Sequence, residues 1–181
     1  MIKRYGFLVV TSGLVVALDQ LSKGLVRATL SLGESWNPFP ILSPYINITH
    51  WQNNGAAFGL FQSGGTLFMI VAFAVSGIII YYYGQALPGN RLLRVALSLQ
   101  LGGAIGNLID RVRQGPVTDF IHVTNFPIFN VADSSISVGV ALLALTMLLE
   151  RRPERGAGAG APETAASRAP NVEPGHPSGP A

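Results

Sequence analysis

The sequence predicts an all-α membrane protein of four transmembrane helices, with a small extracytoplasmic β-sheet or cradle in its first external loop. Three observations carry that prediction. Of 181 residues, 49% are hydrophobic and only 12% charged, with a mean hydropathy of +0.40, against roughly 25% charged residues in ordinary soluble domains. One core of this size cannot bury so many apolar groups, so lipid must solvate much of the chain. The second observation is length: four apolar runs approach the ~20 helical residues that a ~30 Å hydrocarbon layer requires. The third is the placement of acids. All four aspartates (Asp19, Asp110, Asp119 and Asp133) lie within or beside apolar stretches, whereas four of the five glutamates sit at residue 150 or later. Cysteine is absent, which excludes disulfides, a thiol nucleophile and thiolate metal sites.

The first span, about residues 5–30, is uncharged from Tyr5 to Leu18 and continues through Asp19, Lys23 and Arg27. It reads as a retained span rather than a cleaved leader, because no small-residue cleavage pattern follows and Asp19-Gln20 interrupts it. The second, 66–83, carries no charge and ends in Tyr81-Tyr82-Tyr83, an aromatic cluster suited to a headgroup boundary. The third, 92–109, contains Gly102, Gly103, Ala104 and Gly106, small residues that let a neighbouring helix approach closely. The fourth, 128–149, has Asn130 and Asp133 in its first turns and stops at Glu150-Arg151-Arg152-Pro153.

Basic residues cluster at Lys3-Arg4, at Arg91 and Arg94, and at Arg151, Arg152 and Arg155, while the 31–65 connection has none. By the positive-inside rule both termini face the cytoplasm, with Arg111 and Arg113 alone running against the pattern. The 31–65 loop is too apolar for a solvated linker, and residues 45–51 read as a strand in a small sheet on the outer membrane surface. Residues 1–155 thus form a membrane-embedded domain. Residues 156–181, rich in Ala, Gly and Pro, form a disordered cytoplasmic tail.

Each intramembrane acid needs a partner or a function. Asp19, Lys23 and Arg27 share one helical face at i, i+4 and i+8, so Asp19 and Lys23 read first as a mutually neutralising structural pair. Asp110 and Arg111 read as an interfacial pair, or as a tie between the loop and Asn107. Asp119 and Asp133 have no Lys, Arg or Glu between them. If the intervening segment folds back, their carboxyls meet near the outer boundary and share a proton, the chemical unit of aspartic proteolysis. On spacing alone, a helix-start acid favoured by the macrodipole explains Asp133 equally well. His122 is three residues from Asp119, within range to tune it, although an interfacial histidine is the commoner case. No His-Glu-x-x-His is present and His50, His122 and His176 are scattered, so no metal site or other cofactor is expected. A proton channel or small transporter also uses paired membrane aspartates, but repeat symmetry and broken helices are not visible. An intramembrane protease of the presenilin type requires a Gly-x-Gly-Asp that is missing.

Five blocks in order carry a resemblance. Asp19-Gln20-Leu21-Ser22-Lys23, Asn53 to Gly59, Gly102 to Arg111, Val117 to Ile121 and Phe129 to Ser134 together resemble lipoprotein signal peptidase, the bacterial type II signal peptidase family. The resemblance implies an aspartic endopeptidase of the bacterial inner membrane that cuts prolipoproteins just before a cysteine carrying diacylglycerol. It places the catalytic aspartates on Asp119 and Asp133 and supporting residues on Asp19, Lys23, Asn53, Gly103, Asn107, Arg111, Asn130 and Ala132. Asn107 and Asn130 then bind substrate backbone or orient a carboxylate, Arg111 balances charge or binds carbonyls, and Gly103 leaves room for an acyl chain. The implied partners are the lipid-modified substrate and membrane lipid, with no nucleic acid, for an enzyme acting as a monomer. Residues 122–132, between the two acids, are at the short end for the family.

Overall fold

A computed structural model describes residues 2–55, 65–85 and 90–150. Ala56 to Gly59, Arg151, Arg152, Arg155 and the expected tail at 156–181 lie outside them. Helix α1 spans Ile2–Thr29, strand β1 Ser35–Trp36 and strand β2 Ile46–Asn53; helix α2 spans Gly65–Gln85 and helix α3 Arg91–Gln114. Strand β3 covers Val117–Val123 and helix α4 Val131–Glu150. Among the described residues these four helices are long and apolar enough to cross a membrane. Their lipid-side character is visible in the many exposed large side chains, such as Val10, Leu14 and Leu21 on α1 and Ile70 and Phe73 on α2.

Helix α3 is the centre of the bundle and packs against the other three. Its small residues make that possible. A Cβ on Gly102 would meet Val15 Cβ at 2.7 Å, and one on Gly103 would overlap the carbonyl oxygen of Ala132 and meet Ile136 Cγ1 at 2.7 Å. Gly102 therefore seats α1 and Gly103 seats α4, backbone close to backbone. At the end of the bundle where α3 begins, Arg94 donates from Nε to the Tyr83 hydroxyl at 3.0 Å and lies over the rings of Phe7 and Tyr83.

The sheet is three-stranded and antiparallel in the order β1-β2-β3. The sequence places it in the first loop, but its third strand comes from the second, after α3. Asp119 and His122 interrupt the apolar pattern of Val117–Val123, so the segment does not read as a strand until β2 supplies its backbone partners. Pairing runs from Ile46 opposite Val123 to Asn53 opposite Val117 and carries one bulge, where Ile48 faces Ile121 but Trp51 faces Asp119. Three steps along β2 thus match two along β3. The extra residue reverses which β2 side chains share the face of Asp119. Without it Gln52 would lie on that face; with it, Trp51 and Asn53 do.

Replacing Gly103 by Ala is expected to destabilise the protein by about 1–3 kcal/mol, since the methyl group meets backbone that cannot yield freely. Gly77, with open space around it, is the control: Gly77→Ala should leave thermal unfolding in detergent unchanged or slightly raised. Equal unfolding temperatures for Gly103→Ala and wild type would refute the packing role.

Candidate active site

The site forms where the sheet meets the ends of the helices. After β3 the chain turns at Asn125, which adopts φ 64°, a left-handed conformation that Asn tolerates. It then doubles back, and the amide of Ile121 donates to the carbonyl of Phe129 at 2.8 Å. This return brings Asn130, the residue that starts α4, against Asp119.

Asn130 holds both acids. Its Nδ2 donates to Asp119 Oδ1 at 2.6 Å. Its Oδ1 accepts the amide N–H of Asp133 at 2.9 Å, and its own amide donates to Asp133 Oδ2 at 3.2 Å. That reciprocal pair is a capping box, with Asp133 at the third position of α4. The helix-start reading of Asp133 is therefore right about its local role, and the acid still has an oxygen to spare. Asp133 Oδ1 accepts from Asn107 Nδ2 at 2.8 Å. On the sheet side, Asn53 Nδ2 donates to Asp119 Oδ2 at 2.9 Å, a contact made available by the β2 bulge.

Asp119 and Asp133 line one cleft of about 1010 Å³ with Asn53, Asn107 and Arg111. Its apolar walls include Trp51, Phe126, Phe129 and Val138. Burial pushes the Asp119 carboxyl, on β3 and outside the spans, up to about 6; the charge of Asp133 adds to this, opposed by the hydrogen bonds from Asn53 and Asn130 and by Lys23. Arg111 donates to the Asn107 carbonyl at 3.4 Å and lies over the Phe68 ring of α2, leaving its guanidinium at the cleft wall.

Two readings are corrected, and a third, the less common alternative for His122, falls away. Asp110 does not pair with Arg111; it turns inward to Lys23 Nζ at 2.9 Å, because α1 lies against that face of α3 while Arg111 faces the cleft. Gly103 leaves no room for an acyl chain, since Ala132 and Ile136 occupy the space beside it. His122 does not tune Asp119, because alternation along β3 puts the two side chains on opposite faces of the sheet. The Asp19–Lys23 pair forms at 2.8 Å, fully buried. Ala132 donates its amide to Asp19 Oδ1 at 3.0 Å. Asp119, Asp133, Asn53, Asn107, Arg111 and Asn130 thus converge directly, whereas Asp19, Lys23, Gly103 and Ala132 lie behind them.

Sequence reasoning missed Gln20, which bridges Asp19 and Asp110 at 3.1 Å each, and Thr118, whose hydroxyl accepts from Arg27 at 2.9 Å. Both stand next to an aspartate inside one of the five motif blocks, but nothing in the sequence gives their partners on other elements.

The chain matches the Signal peptidase (SPase) II family over residues 11–149, an interval that contains every residue of this site. It is 48% identical over 141 residues to the lipoprotein signal peptidase of Bacillus subtilis (strain 168), covering 76% of this chain and 90% of that one. To the lipoprotein signal peptidase of Shouchella clausii (strain KSM-K16) it is 44% identical over 143 residues, covering 78% and 93%. Among solved structures it is similar to a bacterial membrane enzyme determined by the in meso method at 2.3 Å resolution, with a TM-score of 0.77 and 34% identity over 86% of this chain and 95% of the other. A second, at 1.9 Å resolution, gives a TM-score of 0.72 and 37% identity, with 79% and 93% covered. With four spans, a sheet closing one end and acids from β3 and α4 in a single cleft, the chain belongs to the signal peptidase II family and is a membrane peptidase.

Proposed function

We propose that this peptidase removes the signal peptide from prolipoproteins by hydrolysing the bond before a diacylglyceryl-modified cysteine, using Asp119 and Asp133 as a catalytic pair. The observation that carries the reading is that these two acids, from different elements, line one cleft and are both held by Asn130. With one proton between them, the ionised carboxyl takes a proton from water as the oxygen attacks. The protonated carboxyl donates to the scissile carbonyl. Collapse of the tetrahedral intermediate returns a proton to the departing amine.

The supporting residues take roles that follow from their contacts. Asn53 and Asn130 donate to Asp119, and Asn107 donates to Asp133, fixing both carboxyl planes before substrate arrives. Arg111, at the cleft wall, offers a fixed fork of N–H donors to backbone carbonyls of an extended substrate. Asp19, Lys23, Gly103 and Ala132 support the fold behind the pair. The apolar walls suit a substrate that arrives within the bilayer, its acyl chains still in lipid while water reaches the peptide bond.

The reading extends to placement. Helices α1 and α3 finish, and α2 and α4 begin, at the end of the bundle that carries the sheet. With Arg91 and Arg94, at the opposite end, in the cytoplasm, the site lies near the outer face of the inner membrane and both termini lie inside.

Asp119→Asn and Asp133→Asn should each lower kcat on a diacylglyceryl-modified prolipoprotein by at least about a thousandfold while the purified protein keeps its helical circular dichroism; full turnover by either variant would contradict the pair. A substrate lacking the diacylglyceryl group should show kcat/KM at least about a hundredfold lower, because acyl burial supplies binding that positions the peptide bond. Equal rates on the two substrates would remove lipid recognition from the proposal. The pH profile gives a third check. The singly protonated pair of the free enzyme is lost as pH rises through about 6, the value for Asp119, so kcat/KM should fall across that region. Asn53→Ala removes a hydrogen bond that favours ionised Asp119, so its alkaline limb should move to higher pH; a shift to lower pH would contradict the assignment.

A further inference from the structure

Behind the cleft lie three ionised side chains, none of them exposed: Asp19, Lys23 and Asp110. Lys23 stands between the two carboxylates, 2.8 Å from Asp19 Oδ2 and 2.9 Å from Asp110 Oδ2. Each carboxylate also accepts from a backbone amide, Asp19 through its second oxygen and Asp110 through the oxygen that meets Lys23. Asp19 Oδ1 accepts from the amide of Ala132 at 3.0 Å, the residue immediately before Asp133. Asp110 Oδ2 accepts from the amide of Thr118 at 3.1 Å, the residue immediately before Asp119. On both sides a buried carboxylate grips the peptide group that leads into one acid of the cleft, and a single ammonium joins the two grips; on the Asp110 side the other oxygen also lies 3.7 Å from the Arg27 guanidinium.

Other contacts stiffen this unit. Gln20 Nε2 reaches both carboxylates and the carbonyl of Gly106, at 3.1 Å each. Arg27 donates to the Thr118 hydroxyl at 2.9 Å. The third donor of Lys23 goes to Asn107 Oδ1 at 2.9 Å, which leaves the Asn107 amide nitrogen for Asp133. Space around Asp19 is closed: a Cβ built on Gly106 would come within 2.7 Å of Asp19 Oδ2. No side chain larger than that of glycine fits at position 106 between this carboxylate and α3.

We propose that Asp19, Lys23 and Asp110 are positioning residues that set the separation of Asp119 and Asp133 by holding the amides of Ala132 and Thr118 at a fixed distance across one ammonium. The proposal rests on the aspartic reading of the cleft. It differs from a simple charge-balancing role, in which the three ions serve only to neutralise one another. In a gauge of this kind the position of the accepting oxygen matters more than its charge. A displacement on the order of 1 Å at a reacting group costs about a hundredfold in rate.

The test compares two variants of full-length enzyme with opposite properties. Asp19→Asn loses the charge but keeps an oxygen where the Ala132 amide needs it. Asp19→Glu keeps the charge but carries the oxygen one methylene further, into space that Gly106 and Ala132 already fill. Cleavage of a diacylglyceryl-modified prolipoprotein is measured across pH, normalised to folded protein. Asp19→Asn should retain kcat within about tenfold of wild type, whereas Asp19→Glu should lose about a hundredfold and have its alkaline limb displaced, because the coupling of two carboxyls depends on their separation. If Asp19→Glu is as active as Asp19→Asn or more so, or if its limb coincides with that of wild type, the gauge is overturned. Should either variant fail to accumulate in the membrane, Asp110→Asn and Asp110→Glu make the same comparison on the other arm, with the same expected order. Activity surviving in Asp119→Asn or Asp133→Asn would instead defeat the aspartic reading itself, so the two failures are separable.

Discussion

The ammonium of Lys23 is the constraint on which the rest of the molecule depends. Ionised side chains inside a membrane bundle cost several kcal/mol each in lost hydration, and only close partners with good geometry offset that cost. Lys23 has three N–H donors, and all three are used, by Asp19, Asp110 and Asn107. Helices α1 and α3 are thereby held by charge where lipid offers them no hydrophobic reason to associate. Removing one partner from such a set strands the others, at about 3–5 kcal/mol. The same cation, through Asn107, reaches the cleft in a single further hydrogen bond.

The cleft itself is a seam between two kinds of backbone. One acid comes from a strand, whose partner β2 must carry a bulge to aim Asn53 at it. The other comes from the first turn of a helix, whose cap is the residue that also holds the first acid. Asn130 performs both tasks because its amide has two ends. Its oxygen completes the helix start and its nitrogen reaches across to Asp119, so local structure and site geometry are fixed by the same rotamer.

How far the sequence reached follows from the range of each interaction. The α2 span was plain because no charge interrupts it, and the Asp19–Lys23 pair because one helical turn separates the two residues. The partner of Asp110 was hidden, since it depends on which helix lies beside α3. The small residues of α3 announced a close approach but not its object: Gly103 faces α4 rather than a lipid chain. The third strand was masked by Asp119 and His122, side chains that serve the site or its surface at the expense of an apolar pattern. A one-residue bulge decides the face of Asn53, and nothing in the local sequence marks it. The five motif blocks contain the residues that line the cleft with Asp119 and Asp133 without revealing which of them meet.

The turn between Asp19 and Lys23 also bears on how the protein is made. Helix α1 is made before α3, and it carries Asp19, Lys23 and Arg27 toward the end of the bundle that bears the sheet. Because Asp19 and Lys23 stand at i and i+4, each brings its counter-ion with it, and of these three charges Arg27 alone enters without a partner on its own helix. When α3 follows, Asp110 finds a cation already placed but not yet fully coordinated. Assembly of the bundle then completes a coordination shell begun within a single helix, so the order of synthesis and the order of charge compensation coincide.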